Sequence, residues 1–367
     1  LSSPAGLESL ERLDLTNTPI GDGGLDRLRS VPTLVELDLN LTPVTDAGLA
    51  VLPDVCPEIR RLGLCGTAVS DEGIGSLAGL SNLAALDLAG TRISDAALGE
   101  LKRIEGLEHL VLDHTEISDA GLASLKDLSD LKYLSLAGTK VTDAGLRSLR
   151  DLRQLERVCL FATEVGKDGI DGLTRALPAC VVEGDVRRSV DLLPLIDPTR
   201  DAVRGEWCFE ADALVSPVDP CSRILFPHSP PEEYGLELTA ARRSGDDSLC
   251  VGLVAGGRQA MLIIDQGWDR GASLSQVDGR PGHETETARP TRVFTDPQPV
   301  RVLVLVRDSH IRAACGGRVL VDWRGDFSRL SVTSHWAVPD ENSLFVGTFR
   351  SSFEISGVRL VPLRAGE

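Results

Sequence analysis

The stretch TKVTDAGLRSL (Thr139–Leu149) decides the fold, because near copies of it recur along the first half of the chain. Earlier copies read TPVTDAGLAVL, TAVSDEGIGSL, TRISDAALGEL and TEISDAGLASL. Each copy opens on a threonine, and the threonines lie about 24 residues apart, a period typical of solenoid proteins. They are Thr42, Thr67, Thr91, Thr115, Thr139 and Thr163. The sequence therefore predicts a stack of similar units that ends near residue 184.

A second phrase, LxxLxL, precedes each threonine, as in LERLDL, LVELDL and LKYLSL. Its alternation places Leu134 and Leu136 on the inner side of a short strand and the residues between them on the outer side. After the threonine come an Ile or Val, a Ser/Thr-Asp pair, and apolar residues at helical spacing such as Leu146 and Leu149. Each unit is therefore predicted to be a strand, a turn and a helix.

The Ser/Thr-Asp pair is typical of a helix N-terminus. A short oxygen side chain there accepts a hydrogen bond from a free N–H group, and a negative charge suits the helix dipole. We predict that the aspartates cap the helices, and these are Asp46, Asp71, Asp95, Asp119 and Asp143. A ladder of metal-binding aspartates is the alternative, but a repeated cap explains the spacing without a ligand. The small residues that follow predict a close approach of helix and neighbouring strand. They are Gly48, Gly73, Ala97, Gly121 and Gly145.

These residues resemble a leucine-rich repeat array of the subtype LxxLxLxxTxITDxGLxxL, in which Thr takes the position usually held by Asn or Cys. The resemblance implies a horseshoe whose outward strand residues form a continuous concave binding surface. The last unit, TEVGKDGIDGL, has one extra residue before Asp168, and LPACVVEGD then loses the pattern, so we predict a terminal capping repeat. Because the first unit begins almost at residue 1, we expect the sequence to be a fragment or a processed form of something longer.

Length and net charge limit the classes of function that the chain can have. The 367 residues have room for two domains, and a net charge of -17 argues against nucleic acid or an anionic membrane surface as partner. The sequence has no apolar run long enough for a membrane span and no visible signal peptide, so we expect a soluble chain of unknown location. Its eight cysteines include no CxxC pair, which argues against metal binding. We interpret most of them as small buried hydrophobes, although Cys208 and Cys221 could pair. No cofactor is predicted.

The second half of the chain has a different sequence pattern from the first. Residues 185–204 have neither helical nor strand periodicity and contain Pro194 and Pro198, which predicts a linker. From residue 205 to 364, short apolar or alternating runs are separated by Gly, Pro, Asp and Ser, which predicts an antiparallel β-sandwich or jelly roll. One hairpin is predicted to turn at Gly316 and Gly317. The predicted domains are thus a repeat solenoid over 1–184, a linker, and a sandwich over 205–364.

This half resembles the concanavalin-like sandwiches of laminin-G-type domains and of the family associated with 3-keto-disaccharide hydrolysis, formerly of unknown function. The segments GEWCFEADALVSP, IRAACGGRVLVDWRGD and FEISGVRLVPL carry the resemblance, which spans roughly residues 200 to 364. It implies a shared fold. No acidic residues match a catalytic set, so we name no catalytic residue.

One region of the second half suits a saccharide. LIIDQGWDRG places Asp265, Trp268 and Asp269 just beyond a strand, and a long polar loop follows with His283 and Glu284. An aromatic ring contacts the C–H face of a sugar while carboxylates accept hydrogen bonds from its hydroxyls. The alternative is that Trp268 packs over the end of the sandwich and that the acidic side chains are solvated charges on loops. We interpret SGDDSL, with Asp246 and Asp247, as a turn.

The repeats predict a different site on their outward strand positions. Toward the end of the array these positions become more apolar, a composition typical of a protein-binding surface. The residues are His109, Val111, Tyr133, Arg157, Cys159 and Phe161. The alternative is that this strip packs against the linker or the second domain.

Two functions remain open. The favoured one is a non-enzymatic interaction protein that binds a protein partner through its repeats and uses the sandwich as a second recognition module, plausibly for carbohydrate. The alternative is a carbohydrate-active hydrolase that is targeted by its repeats.

Overall fold

The structure, a computed structural model, describes residues 9–184, 188–267, 271–295 and 298–363. The chain divides into two compact units, residues 1–187 and residues 188–367. The predicted fold class is confirmed: leucine-rich repeats are followed by an antiparallel β-sandwich.

Within the described residues of the first unit, short parallel strands pair in sequence order into one sheet. The strands are β1 (Arg12–Asp14), β2 (Glu36–Asp38), β3 (Arg61–Gly63), β4 (Ala85–Asp87), β5 (His109–Val111), β6 (Tyr133–Ser135), β7 (Arg157–Cys159) and β8 (Val181–Glu183). Strand β8 lies where the repeat pattern is lost. Its pairing with β7 shows that LPACVVEGD adds one more strand to the sheet.

Strands β1 to β7 each lead through a turn to a short α-helix or a 3-10 turn. The α-helices are α1 (Asp22–Leu25), α2 (Asp46–Val55), α3 (Asp71–Ile74), α4 (Asp95–Leu101), α5 (Asp119–Leu122) and α6 (Lys167–Ala176). Tighter 3-10 turns cover Asp26–Ser30, Gly75–Gly79, Ala123–Asp127 and Gly145–Leu149. The repeated leucines and isoleucines of strands and helices form one continuous buried core. A unit that cannot bury its leucines alone therefore buries them against its neighbours.

The turns explain the recurring threonines. Each threonine is preceded by a residue in the left-handed region, with φ between +57° and +68°, at Asn17, Leu41, Gly66, Gly90, His114, Gly138 and Ala162. The hydroxyl of the threonine then donates to the carbonyl three residues back, as Thr139 Oγ1 does to Leu136 at 2.7 Å. This bond satisfies a carbonyl in the turn.

The predicted capping role of the aspartates needs correction. The Ser or Thr is the cap: Ser94 and Ser118, for example, accept from the N–H groups of Ala96 and Ala120. The aspartate instead reaches the next repeat, where Asp95 accepts from Ser118 N–H at 2.8 Å and from its hydroxyl at 2.6 Å. The same pairing recurs as Asp22–Thr45, Asp46–Ser70, Asp71–Ser94 and Asp119–Thr142.

The glycines recur at the same position of the repeat because an aspartate carboxylate of the preceding repeat lies against them. A Cβ at Gly121 would overlap the carboxylate of Asp95, and a Cβ at Gly145 would overlap that of Asp119. Ala97, the alanine among the predicted small residues, is fully buried. The predicted close approach of helix and neighbouring strand is therefore corrected, because the group that lies against these glycines is the aspartate of the preceding repeat.

The second unit is built of antiparallel strands. The strands are β9 (Val190–Asp191), β10 (Ala202–Arg204), β11 (Cys208–Glu210), β12 (Ala213–Val215), β13 (Ser222–Leu225), β14 (Tyr234–Ser244), β15 (Leu249–Ala255), β16 (Arg258–Gln266), β17 (Gly271–Leu274), β18 (Gln276–Val277), β19 (Arg280–Pro281), β20 (Val300–Arg307), β21 (His310–Cys315), β22 (Arg318–Arg324), β23 (Leu330–Ser331), β24 (Phe345–Thr348) and β25 (Ser352–Pro362). One α-helix, α7, spans Pro198–Asp201, and 3-10 turns cover Leu193–Leu195, Gly282–Glu284, Phe327–Arg329 and Ser334–Trp336.

These strands form two large sheets. One has the order β10-β13-β24-β15-β16-β17, and the other has the order β11-β12-β25-β14-β20-β21-β22 with β9 beside β25. A small sheet, β19-β18-β23, pairs with neither of them. Alternate residues of the large sheets form a buried core that includes Tyr234, Leu253 and Val304. The predicted hairpin is β21–β22, where Gly316 and Gly317 have φ of +55° and +78°.

The segment predicted as a linker, residues 185–204, belongs instead to the second unit from residue 188 onward, and residues 185–187 lie outside the described residues. Residues Val190–Asp191 pair with β25, and Ala202–Arg204 form the edge of the sheet that contains β13. Leu192 is fully buried in the core of this unit. Among the described residues, no helix has the length and apolar character that crossing a membrane requires.

Candidate functional site

The strand face of the repeats presents the predicted partner-binding residues in a row. The ladder register places His109 of β5 beside Tyr133 of β6, and Tyr133 beside Arg157 of β7. His109 and Arg157 are exposed, while Tyr133 and Val111 are half-buried. We call His109, Val111, Tyr133 and Arg157 the strand-face patch.

The rings and charges of the patch are held in defined positions. The centroids of the His109 and Tyr133 rings are 6.0 Å apart, with the ring planes inclined at 34°. Arg157 Nη1 lies 3.2 Å from Oε1 of the buried Glu183 on β8. Burial lowers the pKa of His109, and the positive charge of Arg61 lowers it further, so the imidazole is mostly neutral at pH 7.

Two predicted members of this strip need correction, because Cys159 and Phe161 are both fully buried. Cys159 lies beside Glu183 of β8, and Gly184 packs so closely on Phe161 that a Cβ there would lie 2.5 Å from the Phe161 nitrogen. Neither side chain is available to a partner. Val181, 40% exposed, extends the row beyond Arg157 instead. The paired valines in LPACVVEGD were the sequence signal for this strand.

The predicted saccharide residues in the sandwich do not come together as expected. Trp268 and Asp269 lie outside the described residues. His283 and Glu284 lie on an exposed 3-10 turn, with His283 Nε2 3.6 Å from Glu284 Oε1. In the parts of the chain described, no hydrogen bond or ion pair joins these two residues to Asp265.

Asp265 is a buried structural residue, which corrects its predicted role. It has φ of +60° and is 1% exposed. Its Oδ1 accepts from Val293 N–H at 2.7 Å, and its Oδ2 accepts from Phe294 N–H at 2.9 Å and from Arg242 Nη2 at 3.0 Å. Both oxygens are therefore committed to protein groups, and a sugar hydroxyl cannot reach them.

Arg242 connects this buried carboxylate to a neighbouring turn. Its guanidinium lies over the rings of Phe294 and Phe353, at 5.7 and 5.3 Å from their centroids. Its Nη2 also donates to the backbone carbonyl of Asp247 at 2.8 Å. The SGDDSL turn between β14 and β15 is thus anchored on Asp265 through one arginine.

That turn forms the rim of a cavity of about 210 Å³. The described lining residues are Asp247, Ser248, Cys250, Ile263, Gln266, Gly267, Trp336 and Phe349. The composition combines two aromatic rings with a carboxylate, a carboxamide and a hydroxyl. We call this space the Trp336 cavity. Of its residues, the sequence analysis singled out only Asp247, as part of a turn.

Glycines on two adjacent strands make room for the aromatic rings of this region. A Cβ at Gly252 would overlap the Phe345 ring, and a Cβ at Gly347 would overlap the Trp336 indole. The two rings stack with centroids 6.4 Å apart and planes inclined at 11°. Arg223 holds the Trp336 segment on the sheet, since its Nε donates to the Ala337 carbonyl at 3.0 Å.

The described residues offer no metal centre: no three or more His, Cys, Asp or Glu side chains gather as they would around a metal ion.

Comparison with known proteins supports the repeat architecture. A family model described as Leucine Rich repeat matches residues 6–28, 32–52 and 128–149. Together with the parallel strand ladder, this match shows that the chain contains leucine-rich repeats. A search of curated proteins gave no match.

Several solved structures are similar to parts of this chain. Internalin C2 from Listeria monocytogenes is 23% identical, with a TM-score of 0.36, over 48% of this chain and 82% of that chain. The carbohydrate binding module CBM66 from Bacillus subtilis is 11% identical, with a TM-score of 0.30, over 43% of this chain and 92% of that one. The VIP36 exoplasmic/lumenal domain, in a Ca²⁺/Man3GlcNAc-bound form, is 9% identical, with a TM-score of 0.34, over 50% and 91%. The resemblance of the sandwich to the 3-keto-disaccharide hydrolase family stays a prediction.

Proposed function

We propose that this chain is a non-enzymatic interaction protein that binds a protein partner on the strand face of its repeats. The strand-face patch is the observation that supports this function. Its aromatic, apolar and cationic side chains are accessible in adjacent register positions, and such side chains dominate binding energy at protein interfaces. The sandwich acts as a second recognition module, and its ligand class is carbohydrate.

The rigidity of the repeats supports the same proposal. Each strand is fixed by backbone hydrogen bonds to its neighbours, and each helix start is fixed by the aspartate of the preceding repeat. A partner that binds the patch therefore does not need to order the surface first, which lowers the entropic cost of association.

The hydrolase alternative gains no support from Asp265. Glycoside cleavage by the usual route requires two carboxyl groups on either side of one bond. Asp265 is buried, and both its oxygens accept hydrogen bonds from protein groups.

The test is affinity capture with the full chain immobilised, followed by identification of the captured protein. Tyr133→Ala removes the central ring of the patch and is expected to weaken capture of that protein about thirtyfold, the loss typical of an interface hot spot. Lys126→Ala, an exposed change on a 3-10 turn, is the matched control and leaves capture unchanged. Equal capture by the Tyr133 variant and the original chain would contradict the proposal, provided that the melting temperatures agree.

A further inference from the structure

We infer that the Trp336 cavity is the subsite of the sandwich that holds one neutral sugar ring. The inference rests on the proposed carbohydrate recognition and assigns it to residues other than the predicted Asp265 loop. It draws on three properties of the cavity: an aromatic wall, polar atoms that bond to no residue in the described part of the chain, and a rigid support.

The aromatic wall is the indole of Trp336 together with the ring of Phe349. Aromatic rings contact the C–H groups of a sugar without competing for its hydroxyls. Within the described part of the chain, the Trp336 indole N–H donates to no residue, so it can donate to a ligand. Trp336 is 8% exposed and stacks on Phe345, and its position is therefore fixed before any ligand arrives.

The polar rim has an acceptor and a donor that bond to none of the described residues. Asp247 Oδ1 accepts from the N–H and hydroxyl of Ser248, at 2.8 and 2.9 Å, while its Oδ2 accepts from no described residue. The Gln266 carbonyl oxygen has one long contact, 3.5 Å from Ser273 Oγ, and its Nε2 donates to none of the residues described. A carboxylate oxygen and a carboxamide together match neighbouring sugar hydroxyls, each of which both donates and accepts.

The support beneath the rim is a chain of buried and partly buried hydrogen bonds. Asp247 N–H donates to Ser351 Oγ at 2.7 Å, and its carbonyl accepts from Arg242, which is in turn held by Asp265. A recognition group is most effective when the residues behind it are locked in place. Asp265 is therefore a positioning residue for Asp247 and does not contact the ligand.

Size and charge define the class of ligand. At about 210 Å³ the cavity is smaller than the roughly 300–1,000 Å³ of pockets for drug-sized ligands, which limits it to one ring. The carboxylate of Asp247 repels acidic sugars. A second cavity of this unit, bordered by Arg258, Gln259 and Glu341, has no aromatic ring among its described lining residues and fits a sugar less well.

The experiment measures saturation-transfer NMR of the full chain with methyl glucoside, methyl mannoside and methyl galactoside, and with glucuronate as the acidic comparison. We expect transfer to the ring protons of at least one neutral glycoside and weaker transfer to glucuronate. Asp247→Asn keeps an oxygen for Ser248 but replaces the free acceptor with a donor. It is expected to weaken binding about tenfold, the factor for one hydrogen bond to a charged group.

The control is Glu341→Gln, which removes one exposed charge at the second cavity and leaves binding unchanged. Gln266→Ala provides a second variant in case Asp247→Asn alters the turn, and a melting curve checks that each variant is folded. Binding that survives both Asp247→Asn and Gln266→Ala would overturn the assignment of the subsite but leave carbohydrate recognition intact. Absence of binding to every glycoside, and to an array of longer glycans, would overturn both.

Discussion

Asp265 is a residue whose structural role could not be predicted from the sequence. A carboxylate just beyond a strand suggested an exposed loop, yet its positive φ accompanies an irregularity in the pairing of β16 with β17. The side chain turns inward and fixes the backbone at Val293 and Phe294, nearly thirty positions along the chain. The strand pattern predicted Asp265 just beyond a strand, but the residue lies within β16. The pattern also cannot give the direction of the side chain, because that direction depends on distant partners.

Asp265→Ala is expected to lower the free energy of unfolding of the second unit by about 3–5 kcal/mol, because it leaves Arg242 as a buried unpaired charge. Denaturant unfolding followed by tryptophan fluorescence measures this loss. Glu284→Ala, a change at a predicted site residue that is exposed, is the control and is expected to shift stability by less than about 0.5 kcal/mol. Equal effects of the two variants would show that Asp265 is not a structural residue.

The repeat unit is the element that sequence periodicity predicts best. Strand, turn and helix follow from spacing alone, because each repeat presents the same leucines to the same core. Spacing could not assign the roles within the Ser/Thr-Asp pair, since both residue types cap helices well. Only the neighbouring repeat decides that the hydroxyl caps its own helix while the carboxylate reaches the next unit.

A double-mutant cycle distinguishes a capping role of the aspartate from a role in binding the next repeat. If Asp119 binds the next repeat, Asp119→Ala and Thr142→Ala are coupled, and the coupling energy is expected to be about 0.5–3 kcal/mol. Thermal or denaturant unfolding of the two single variants and the double variant gives this number. The control cycle pairs Thr142→Ala with Asp127→Ala, an exposed residue of the adjacent 3-10 turn, and is expected to give no coupling. A coupling energy near zero for Asp119 would restore the simple capping role.

At the scale of the whole molecule, composition and periodicity divided the chain correctly into repeats and a strand-rich half. They missed β8, β9 and β10, because these edge strands of two or three residues are too short to show a strand pattern of their own. Sequence periodicity is limited in the same way for the two sites. The strand-face patch follows the repeat period and could be predicted from it. The Trp336 cavity could not, because it combines residues from β15, β16 and the turn before β24.

Thiol reactivity tests the packing of both units at once. All eight cysteines are free and, by exposure, only Cys208 is accessible. Burial raises the pKa of Cys56 to about 11 and that of Cys315 to about 12, so these thiols carry almost no thiolate at pH 8. We expect a chromogenic disulfide reagent to titrate one thiol per native chain, and all eight after denaturation. Rapid reaction of several thiols in the native chain would mean that these cores are open.

The most direct measurement of the proposed function is photo-crosslinking from the strand face. A benzophenone amino acid replaces Tyr133 in one variant and Lys126 in another, and both full chains are irradiated in extract of the source cells. The account predicts a discrete crosslinked protein from position 133 and none from position 126. Identical products from both positions, or none from position 133 when the chain is folded, would contradict the claim that the strand face binds a partner.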